Sequence, residues 1–267
     1  PSFRWFIGAQ TNLAYNCLDR HVAEGRGGHA ALVYANERGE RRVFTYSQLR
    51  HEVERVAAGL RGMGIEKGDR VTIYMPVMTE AIILMLATVR IGAIHSVVFA
   101  GFGAGALGDR IRASGSRLVF TADVTYRKGK DIPLKAIVDA ALESHGDSVE
   151  HVVVVDRSNG EGTKMEGRDL EWQEFLDRGN GQDSGYVQME ANEPAFILAT
   201  SGTTPPYRAC SSMLEAIVFE SSVRPRTIPM PVSSQLVSIP RTSGSAALTC
   251  TLPRMRRRWV HFRRPRD

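Results

Sequence analysis

Two kinds of apolar pattern alternate along the first 200 residues of the chain. One is helical: Leu49, Val53, Val56 and Leu60 recur at steps of four and three, behind a Thr45-Tyr-Ser-Gln48 segment that has the form of a capping box. The other is a short continuous apolar run, which is typical of a buried strand. The two patterns predict helices at 13–24, 49–63, 79–90, 105–113, 133–144 and 169–177, and strands at 31–34, 42–44, 71–75, 95–99, 118–122, 151–155 and 195–199.

The order of these segments predicts the fold class. From residue 71 onward, strands are separated by helical segments, and such an order indicates right-handed βαβ units. We therefore expect an α/β fold with a mainly parallel sheet and flanking helices. The glycine-rich stretches 156–168 and 178–186 are expected to form loops.

The composition of the chain changes at Thr204. Over all 267 residues, a hydrophobic content of 43% and a charged content of 24% are typical of a globular protein. The last 63 residues, however, hold eight of the twelve prolines, nine serines and 11 arginines against three acidic residues. Their formal charge is +8, whereas the first 204 residues carry −3. We predict a folded domain at 1–204 and an aberrant or disordered tail at 205–267, either a frameshift product or a genuine tail.

The cysteines and the most apolar window bear on the cellular location. Cys17, Cys210 and Cys250 form no C-x-x-C pair, which suits a reducing compartment and argues against a disulfide framework. The window 81–100 contains Arg90 and His95, so a helix followed by a strand explains it better than a membrane span. The chain opens on proline without a signal peptide, and we expect it to begin inside a longer protein. The predicted location is the cytoplasm, with no membrane partner.

A loop of small residues follows the last predicted strand. Phe196–Ala199 runs directly into Thr200, Ser201, Gly202, Thr203 and Thr204. Backbone N–H groups and hydroxyls in such a loop can converge on an anion, and glycine allows the backbone to come close. The loop has neither the spacing nor the lysine of the G-x-x-x-x-G-K-[ST] motif. A phosphate cradle and a plain Ser/Thr-rich turn both fit these nine residues.

Two other segments offer binding chemistry. Gly103–Gly108 has the G-x-G-x-x-G form, and Asp123 lies twenty residues after Gly103, as in a dinucleotide-binding fingerprint. Two βα units precede it and its loop is long, and both features count against a nicotinamide site. A glycine loop that binds some other ligand at the end of a parallel strand is favoured, and a nicotinamide-dependent oxidoreductase is kept as an alternative. Arg127-Lys-Gly-Lys130 is either a solvated basic turn or an anion clamp.

Several segments resemble the AMP-forming acetyl- and propionyl-CoA synthetases of the acyl-adenylate-forming superfamily. Arg90–Phe102 is similar to the family segment R-I-G-A-x-H-x-V-V-F-x-G-F, and Ala199–Thr204 is similar to the first half of the family's phosphate loop. Further similarity, in the same order, lies at 5–9, 15–21, 68–71, 74–76 and 121–130. The resemblance covers residues 1–204 and stops at Pro205, where the family continues with a Lys-Pro-Lys segment.

The resemblance implies a reaction in two halves. Acetate or propionate attacks Mg-ATP to form an acyl-adenylate and pyrophosphate, and the thiol of coenzyme A then displaces AMP. The resemblance assigns Thr200–Thr204 to the ATP phosphates, and Gly101, Arg127 and Lys130 to the phosphorylated nucleotide end of coenzyme A. Lys130 stands where many relatives have arginine. The implied cofactors and small-molecule partners are ATP, Mg²⁺, coenzyme A and a short-chain acid.

Other chemistries find less support in the sequence. The seven histidines form no H-x-x-x-H cluster and there is no G-x-S-x-G elbow, so we predict neither a metal site nor a hydrolase triad. We interpret His95 as a satisfied core residue rather than a base. The arginine-rich tail could bind nucleic acid, although a disordered or mistranslated tail explains it more simply. No catalytic residue is assigned. We expect an inactive N-terminal fragment of the parent enzyme, and the sequence does not indicate its oligomeric state.

Overall fold

The computed structural model describes residues 6–158, 165 and 167–198, together with the backbone of Val237–Ser238. The strands in this part of the chain are β1 (Gln10–Thr11), β2 (Ala30–Ala35), β3 (Arg41–Thr45), β4 (Arg70–Tyr74), β5 (Ile94–Val97), β6 (Leu118–Ala122), β7 (Val124–Arg127), β8 (Lys130–Pro133), β9 (His151–Val155), β10 (Asp169–Glu171), β11 (Met189–Glu190), β12 (Phe196–Ile197) and β13 (Val237–Ser238). The α-helices are α1 (Tyr46–Gly62), α2 (Thr79–Arg90), α3 (Ala104–Ser114), α4 (Leu134–His145) and α5 (Trp172–Asp177). Residues 13–26 form a further helix, which contains the π-helical turns Tyr15–Asp19 and Val22–Arg26.

Six strands form a wholly parallel sheet in the order β10-β9-β6-β4-β5-β12. Strand β4 pairs with β5 on one side and with β6 on the other, so that Val71 lies opposite both His95 and Leu118. All five residues of β6 are buried, and so are four of the five in β9, because both faces of the sheet are covered. This architecture confirms the predicted α/β fold with a parallel sheet and flanking helices.

The helices lie on both faces because the chain changes direction along the sheet. The unit β4–α2–β5 moves to the neighbouring strand on one side, whereas β5–α3–β6 crosses back over β4 to the other side. Right-handed connections in opposite directions place α2 and α3 on opposite faces. Helix α1 packs against α2 and α5, and α3 packs against α4. On the α5 side, the Phe120 ring meets the Phe175 ring edge to face at a centroid distance of 5.2 Å.

Helix α1 begins as the capping box predicts. The Thr45 hydroxyl accepts the N–H of Gln48 at 3.2 Å, and the Gln48 side chain accepts the N–H of Thr45 at 2.9 Å. The predicted apolar stripe is buried at Leu49, Val53, Val56 and Leu60. At the end of the helix, a Cβ on Gly62 would lie 1.9 Å from the carbonyl oxygen of Arg178, so glycine allows the chain after α5 to approach.

Several elements differ from the sequence predictions. Residues 124–133, where the sequence predicts a short loop and a basic turn between strand 118–122 and helix 133–144, form the β7–β8 hairpin, and this hairpin is separate from the central sheet. The predicted helix 169–177 starts instead with strand β10, because these residues pair in parallel with β9 at the sheet edge. The predicted strand 95–99 ends at Val97, where the chain turns away. The short pair β1–β11 has no counterpart in the prediction.

The remaining strands lie outside the central sheet. Strands β2 and β3 form the predicted hairpin around the turn at 36–39, and Val237–Ser238 pairs with β2. The other residues of the predicted tail, 205–267, lie outside the described part of the chain, so the domain boundary at residue 204 stays a prediction. Among the described residues, no helix combines the length and the apolar character needed to cross a membrane.

Candidate functional site

The predicted binding segments follow strands of the central sheet at their carboxyl ends. The side of the sheet where the parallel strands end is called the carboxyl edge, and the side where they begin is called the amino edge. Gly101 follows β5, the Arg127–Lys130 turn follows β6, and β12 leads toward Thr200–Thr204. Strands β5 and β6 flank β4, so the first two segments leave the sheet two strand spacings apart, about 10 Å. The strand order reverses between β4 and β6. In open α/β sheets, ligands bind at the carboxyl ends of the strands beside such a reversal.

The Arg127–Lys130 segment forms the tight turn of the β7–β8 hairpin. Lys128 and Gly129 both have positive φ, 52° and 73°, as a two-residue type I′ turn requires. Arg127 and Lys130 lie directly opposite each other, so their side chains leave the same face of the hairpin. Both are exposed, and neither has an ion-pair partner among the residues that the structure describes. Like charges in this arrangement repel, and an anion between them would stabilise the pair.

Gly101 lies in a turn that carries an exposed aromatic ring. The N–H of Phe102 donates to the carbonyl oxygen of Phe99 at 3.0 Å, and the Tyr74 hydroxyl donates to the carbonyl oxygen of Phe102 at 2.6 Å. A Cβ on Gly101 would lie 2.3 Å from the Phe99 ring, so the absent side chain lets the ring lie against the backbone. The Phe99 side chain is 67% exposed. The turn therefore presents a flat aromatic surface beside bare backbone.

Asp123 joins the end of β6 to the base of the hairpin. This residue is 2% exposed, and its carboxylate accepts the backbone N–H groups of Val124 at 2.7 Å, Arg157 at 2.9 Å and Ser158 at 3.0 Å. Burial disfavours the charged carboxylate, but the hydrogen bonds outweigh it and lower the pKa of Asp123. A carboxylate held by three backbone donors is not free to accept a ribose hydroxyl. The geometry therefore argues against the nicotinamide alternative, in which this residue would bind the ribose.

Arg38, Arg157 and Asp131, to which the sequence assigns no role, meet around Tyr126 and support the hairpin. The guanidinium carbons of Arg38 and Arg157 lie 3.4 Å and 4.2 Å from the centroid of the Tyr126 ring. The Tyr126 hydroxyl donates to the carbonyl oxygen of Arg157 at 2.8 Å, and Arg38 forms an ion pair with Asp131. No sequence signal marks this group, because its members lie far apart in the chain and meet only in the fold.

The predicted phosphate loop lies outside the described residues: Thr200, Ser201, Gly202, Thr203 and Thr204. The strand before it is described, and Phe196 of β12 lies opposite His95 of β5 in parallel register. The two rings stack with 5.6 Å between their centroids. Strand β12 therefore ends at the same edge of the sheet as β5, the strand that precedes Gly101.

His95 is buried, at 6% exposure, but it is not the satisfied core residue that we expected. Its Nδ1 atom has no hydrogen-bond partner in the described part of the chain. Burial disfavours the imidazolium form and lowers the pKa of His95 to about 4, so the ring is neutral at pH 7. The His95 ring, which is neutral and stacked on Phe196, therefore adds no charge to the carboxyl edge of the sheet.

Comparisons with known proteins agree with this architecture. A family model described as AMP-binding enzyme matches residues 19–205. A 3-hydroxypropionyl-coenzyme A synthetase from Sulfurisphaera tokodaii is 49% identical over 203 residues, which cover 75% of this chain and 30% of that protein. An acetyl-coenzyme A synthetase from Streptomyces avermitilis is 46% identical over 204 residues, which cover 76% of this chain and 31% of that protein.

A solved structure shows the same relationship. The acetoacetyl-CoA synthetase from Streptomyces lividans matches with a TM-score of 0.66 and 28% identity, over 77% of this chain and 30% of that one. The chain thus spans about 30% of the length of the curated relatives that it matches. The matched region contains the parallel sheet, Gly101 and the Arg127–Lys130 turn. Since the family model covers well over half of the chain, this protein belongs to the family of AMP-binding enzymes.

Proposed function

We propose that this chain carries the coenzyme A nucleotide subsite of an AMP-forming short-chain acyl-CoA synthetase, an acid–thiol ligase. The parent reaction joins acetate, propionate or a similar short acid to coenzyme A, and ATP is converted to AMP and pyrophosphate. The observation that carries the proposal is the pair of like charges, Arg127 and Lys130, directly opposite on an exposed turn. The similarity to acetyl- and 3-hydroxypropionyl-coenzyme A synthetases supports it.

The subsite acts by holding a charged nucleotide. The Arg127 guanidinium and the Lys130 ammonium group would donate charge-assisted hydrogen bonds to the 3′-phosphate of coenzyme A. Lys128 adds a third positive charge to the same turn. The exposed Phe99 ring offers a stacking surface for adenine, and the bare backbone of Gly101 allows the nucleotide to come close. These groups bind and orient one end of coenzyme A and take no proton from its thiol.

The adenylation half of the reaction is a further part of the proposal. We assign Thr200–Thr204 to the phosphates of Mg-ATP, where backbone donors would stabilise the leaving pyrophosphate. The described residues contain no group of three or more His, Cys, Asp or Glu side chains that could hold a metal ion. In this proposal Mg²⁺ enters bound to ATP, as part of the substrate. The cysteine spacing supports a reducing compartment such as the cytoplasm.

We also infer that the 267-residue chain alone does not complete this reaction, because it matches about 30% of the length of its relatives. The adenylation half is measured as acetate-dependent exchange of pyrophosphate into ATP. Exchange catalysed by the purified chain would contradict the inference.

Binding of coenzyme A to the purified chain tests the proposed subsite. Isothermal titration calorimetry would compare coenzyme A with 3′-dephospho-coenzyme A, which lacks only the 3′-phosphate. We expect coenzyme A to bind about 10- to 100-fold more tightly, since hydrogen bonds between charged groups contribute roughly 1.5–3 kcal/mol. The preference should shrink as salt is raised. Equal affinity for the two ligands would contradict the proposal, and a parallel fluorescence titration with NADH would test the oxidoreductase alternative.

A further inference from the structure

Within the described part of the chain, no other strand pairs with the β7–β8 hairpin. It forms its own two-stranded sheet, separate from the six-stranded one. An isolated two-stranded hairpin is only marginally stable in water, so side-chain contacts must decide whether its turn keeps one shape. The base is anchored at Asp123, whose carbonyl oxygen accepts the N–H of Leu134 at 2.8 Å. The far end, which carries Arg127 and Lys130, needs support of its own.

That support comes from the opposite face of the hairpin. Tyr126 and Asp131 are paired directly across the two strands, next to the Arg127–Lys130 pair. Because side chains alternate along a strand, these two pairs project from opposite faces. Arg38 covers the Tyr126–Asp131 pair: its guanidinium carbon lies 3.4 Å from the Tyr126 ring centroid, and it forms an ion pair with Asp131.

Arg38 is well suited to hold both partners. A guanidinium group is planar, so it can stack on an aromatic ring while its edge donates to a carboxylate. The Arg38–Asp131 ion pair alone is about half exposed and would contribute little. Tyr126, however, is only 7% exposed, and its hydroxyl is fixed by the carbonyl oxygen of Arg157. The contact with a fixed ring gives the ion pair a defined position.

The turn that carries Arg38 is itself ordered. Arg38 lies between β2 and β3, where the side-chain oxygen of Asn36 accepts the N–H groups of Arg38 at 3.0 Å and Glu40 at 3.1 Å. Side-chain hydrogen bonds of this type stabilise tight turns. Arg38 therefore connects one ordered hairpin to another across the surface of the protein.

We propose that Arg38 is a positioning residue for the anion-binding turn: it clamps Tyr126 and Asp131 on one face of the hairpin and so holds Arg127 and Lys130 in register on the other. The inference rests on the proposed function of the turn as a coenzyme A subsite. Arg38 acts through the hairpin and does not touch the ligand. Its effect should therefore fall on recognition of the 3′-phosphate and not on the rest of the nucleotide.

The first test compares Arg38→Met with Arg41→Met in the 267-residue chain. Both substitutions remove one exposed arginine charge from the β2–β3 hairpin, but Arg41 has no contact with Tyr126 or Asp131 in the described part of the chain. For Arg38→Met we expect the Kd for coenzyme A to rise about 10-fold and the Kd for 3′-dephospho-coenzyme A to change less than about twofold. Arg41→Met should leave both values close to those of the original chain. Equal losses in the two variants would overturn the proposal, because they would indicate a general effect of charge.

Two substitutions of Tyr126 distinguish loss of the contact between Arg38 and the ring from a general loss of stability of the hairpin. Tyr126→Phe removes only the hydroxyl bond to Arg157 and keeps the buried ring that Arg38 covers, so it should retain most of the preference for coenzyme A over 3′-dephospho-coenzyme A. Tyr126→Leu removes the ring, and it should lose that preference as Arg38→Met does. If Tyr126→Leu kept the full preference in a folded chain, the ring contact would not be what positions the turn.

Hydrogen exchange separates a failure of this inference from a failure of the proposed function. In Arg38→Met, the amides of 125–132 should exchange about 10-fold faster, while those of 118–122 in the central sheet serve as an unchanged reference. If the original chain showed no preference for coenzyme A, the proposed function would fail, yet faster exchange in the hairpin would still support the positioning role. Unchanged exchange in the hairpin would overturn it.

Discussion

The amino edge and the carboxyl edge of the central sheet both carry arginines, but the contacts of these arginines differ. At the amino end of the strands, Arg117 donates to Glu150 at 2.7 Å, to Asp69 at 2.6 Å and to the carbonyl oxygen of Gly64 at 2.9 Å. Arg70 donates to three further carbonyl oxygens on the same edge, those of Gly68, Ser114 and Gly115. At the carboxyl end, Arg127 and Lys130 face each other without an ion-pair partner in the described residues.

This difference distinguishes a charge that holds the fold together from a pair of charges that we propose binds an anion. A paired guanidinium such as that of Arg117 ties three loops to each other, and its charge is already neutralised. The Arg127–Lys130 pair weakens the hairpin that carries it, since like charges directly across a strand pair repel. The polypeptide would gain stability from an acid at either position. The cation pair is therefore better explained by anion binding than by folding.

The largest expected contrast comes from matched substitutions at the two edges, Arg127→Met and Arg117→Met. Arg127→Met should raise the Kd for coenzyme A about 10- to 100-fold and leave the free energy of unfolding unchanged or slightly higher. Arg117→Met should do the opposite: it should lower the free energy of unfolding by about 1–2 kcal/mol, because two carboxylates and a carbonyl lose their donor, and leave coenzyme A binding unchanged. Urea unfolding and calorimetry measure the two effects. A stability loss in Arg127→Met as large as that in Arg117→Met would break the distinction.

An effect of intermediate size is expected on the pH dependence of stability, through Glu150 at the amino edge and Asp123 at the carboxyl edge. The pKa of Glu150 is lowered by its hydrogen bond with Arg117, and the pKa of Asp123 is lowered by hydrogen bonds from Ser158, Arg157 and Val124 despite its burial. Both groups therefore stabilise the fold above their ordinary pKa values of 4.5 and 3.8, and this contribution is lost as pH falls through the lower folded values.

Salt should separate these two carboxylates. In 1 M NaCl, where the Debye length is about 3 Å, the pKa of exposed Glu150 should rise toward 4.5, while that of buried Asp123 should change less. Carbon-detected NMR titration at low and high salt measures both values, and Glu150→Gln identifies its own resonance. Equal salt sensitivity would show that Asp123 is held by a screened charge and not by backbone donors.

The smallest expected effect concerns the backbone of the turn. Lys128 has φ of 52°, a conformation that asparagine adopts more easily than lysine. Lys128→Asn should raise the free energy of unfolding of the hairpin, measured by exchange of its amides, by about 0.5–1 kcal/mol. The same substitution removes a positive charge, so coenzyme A should bind slightly more weakly. A gain in both properties would argue that this edge is not adapted to an anion.

Much of the sheet could be predicted from local pattern. The apolar runs at 118–122 and 151–155 are the parallel strands β6 and β9, and the capping box at Thr45 begins helix α1. These predictions succeed because burial on both faces and the orphan N–H groups of a helix start leave a mark in consecutive residues. The prediction of a helix was wrong at 169–171, because the pairing of this segment with β9, and not its own helical pattern, decides its conformation.

The sequence alone determined the fold class and the family, and it marked the segments after β5 and β6 as candidate binding segments. Each of these conclusions rests on residues that are neighbours in the chain. Only the tertiary structure decided how the side chains of those segments are arranged. It showed that Arg127 and Lys130 share one face of a hairpin, that backbone donors occupy Asp123, and that Arg38 covers Tyr126 from a distant turn. Such contacts join residues that are far apart in the chain, and they depend on the packing of whole elements, which no local pattern records.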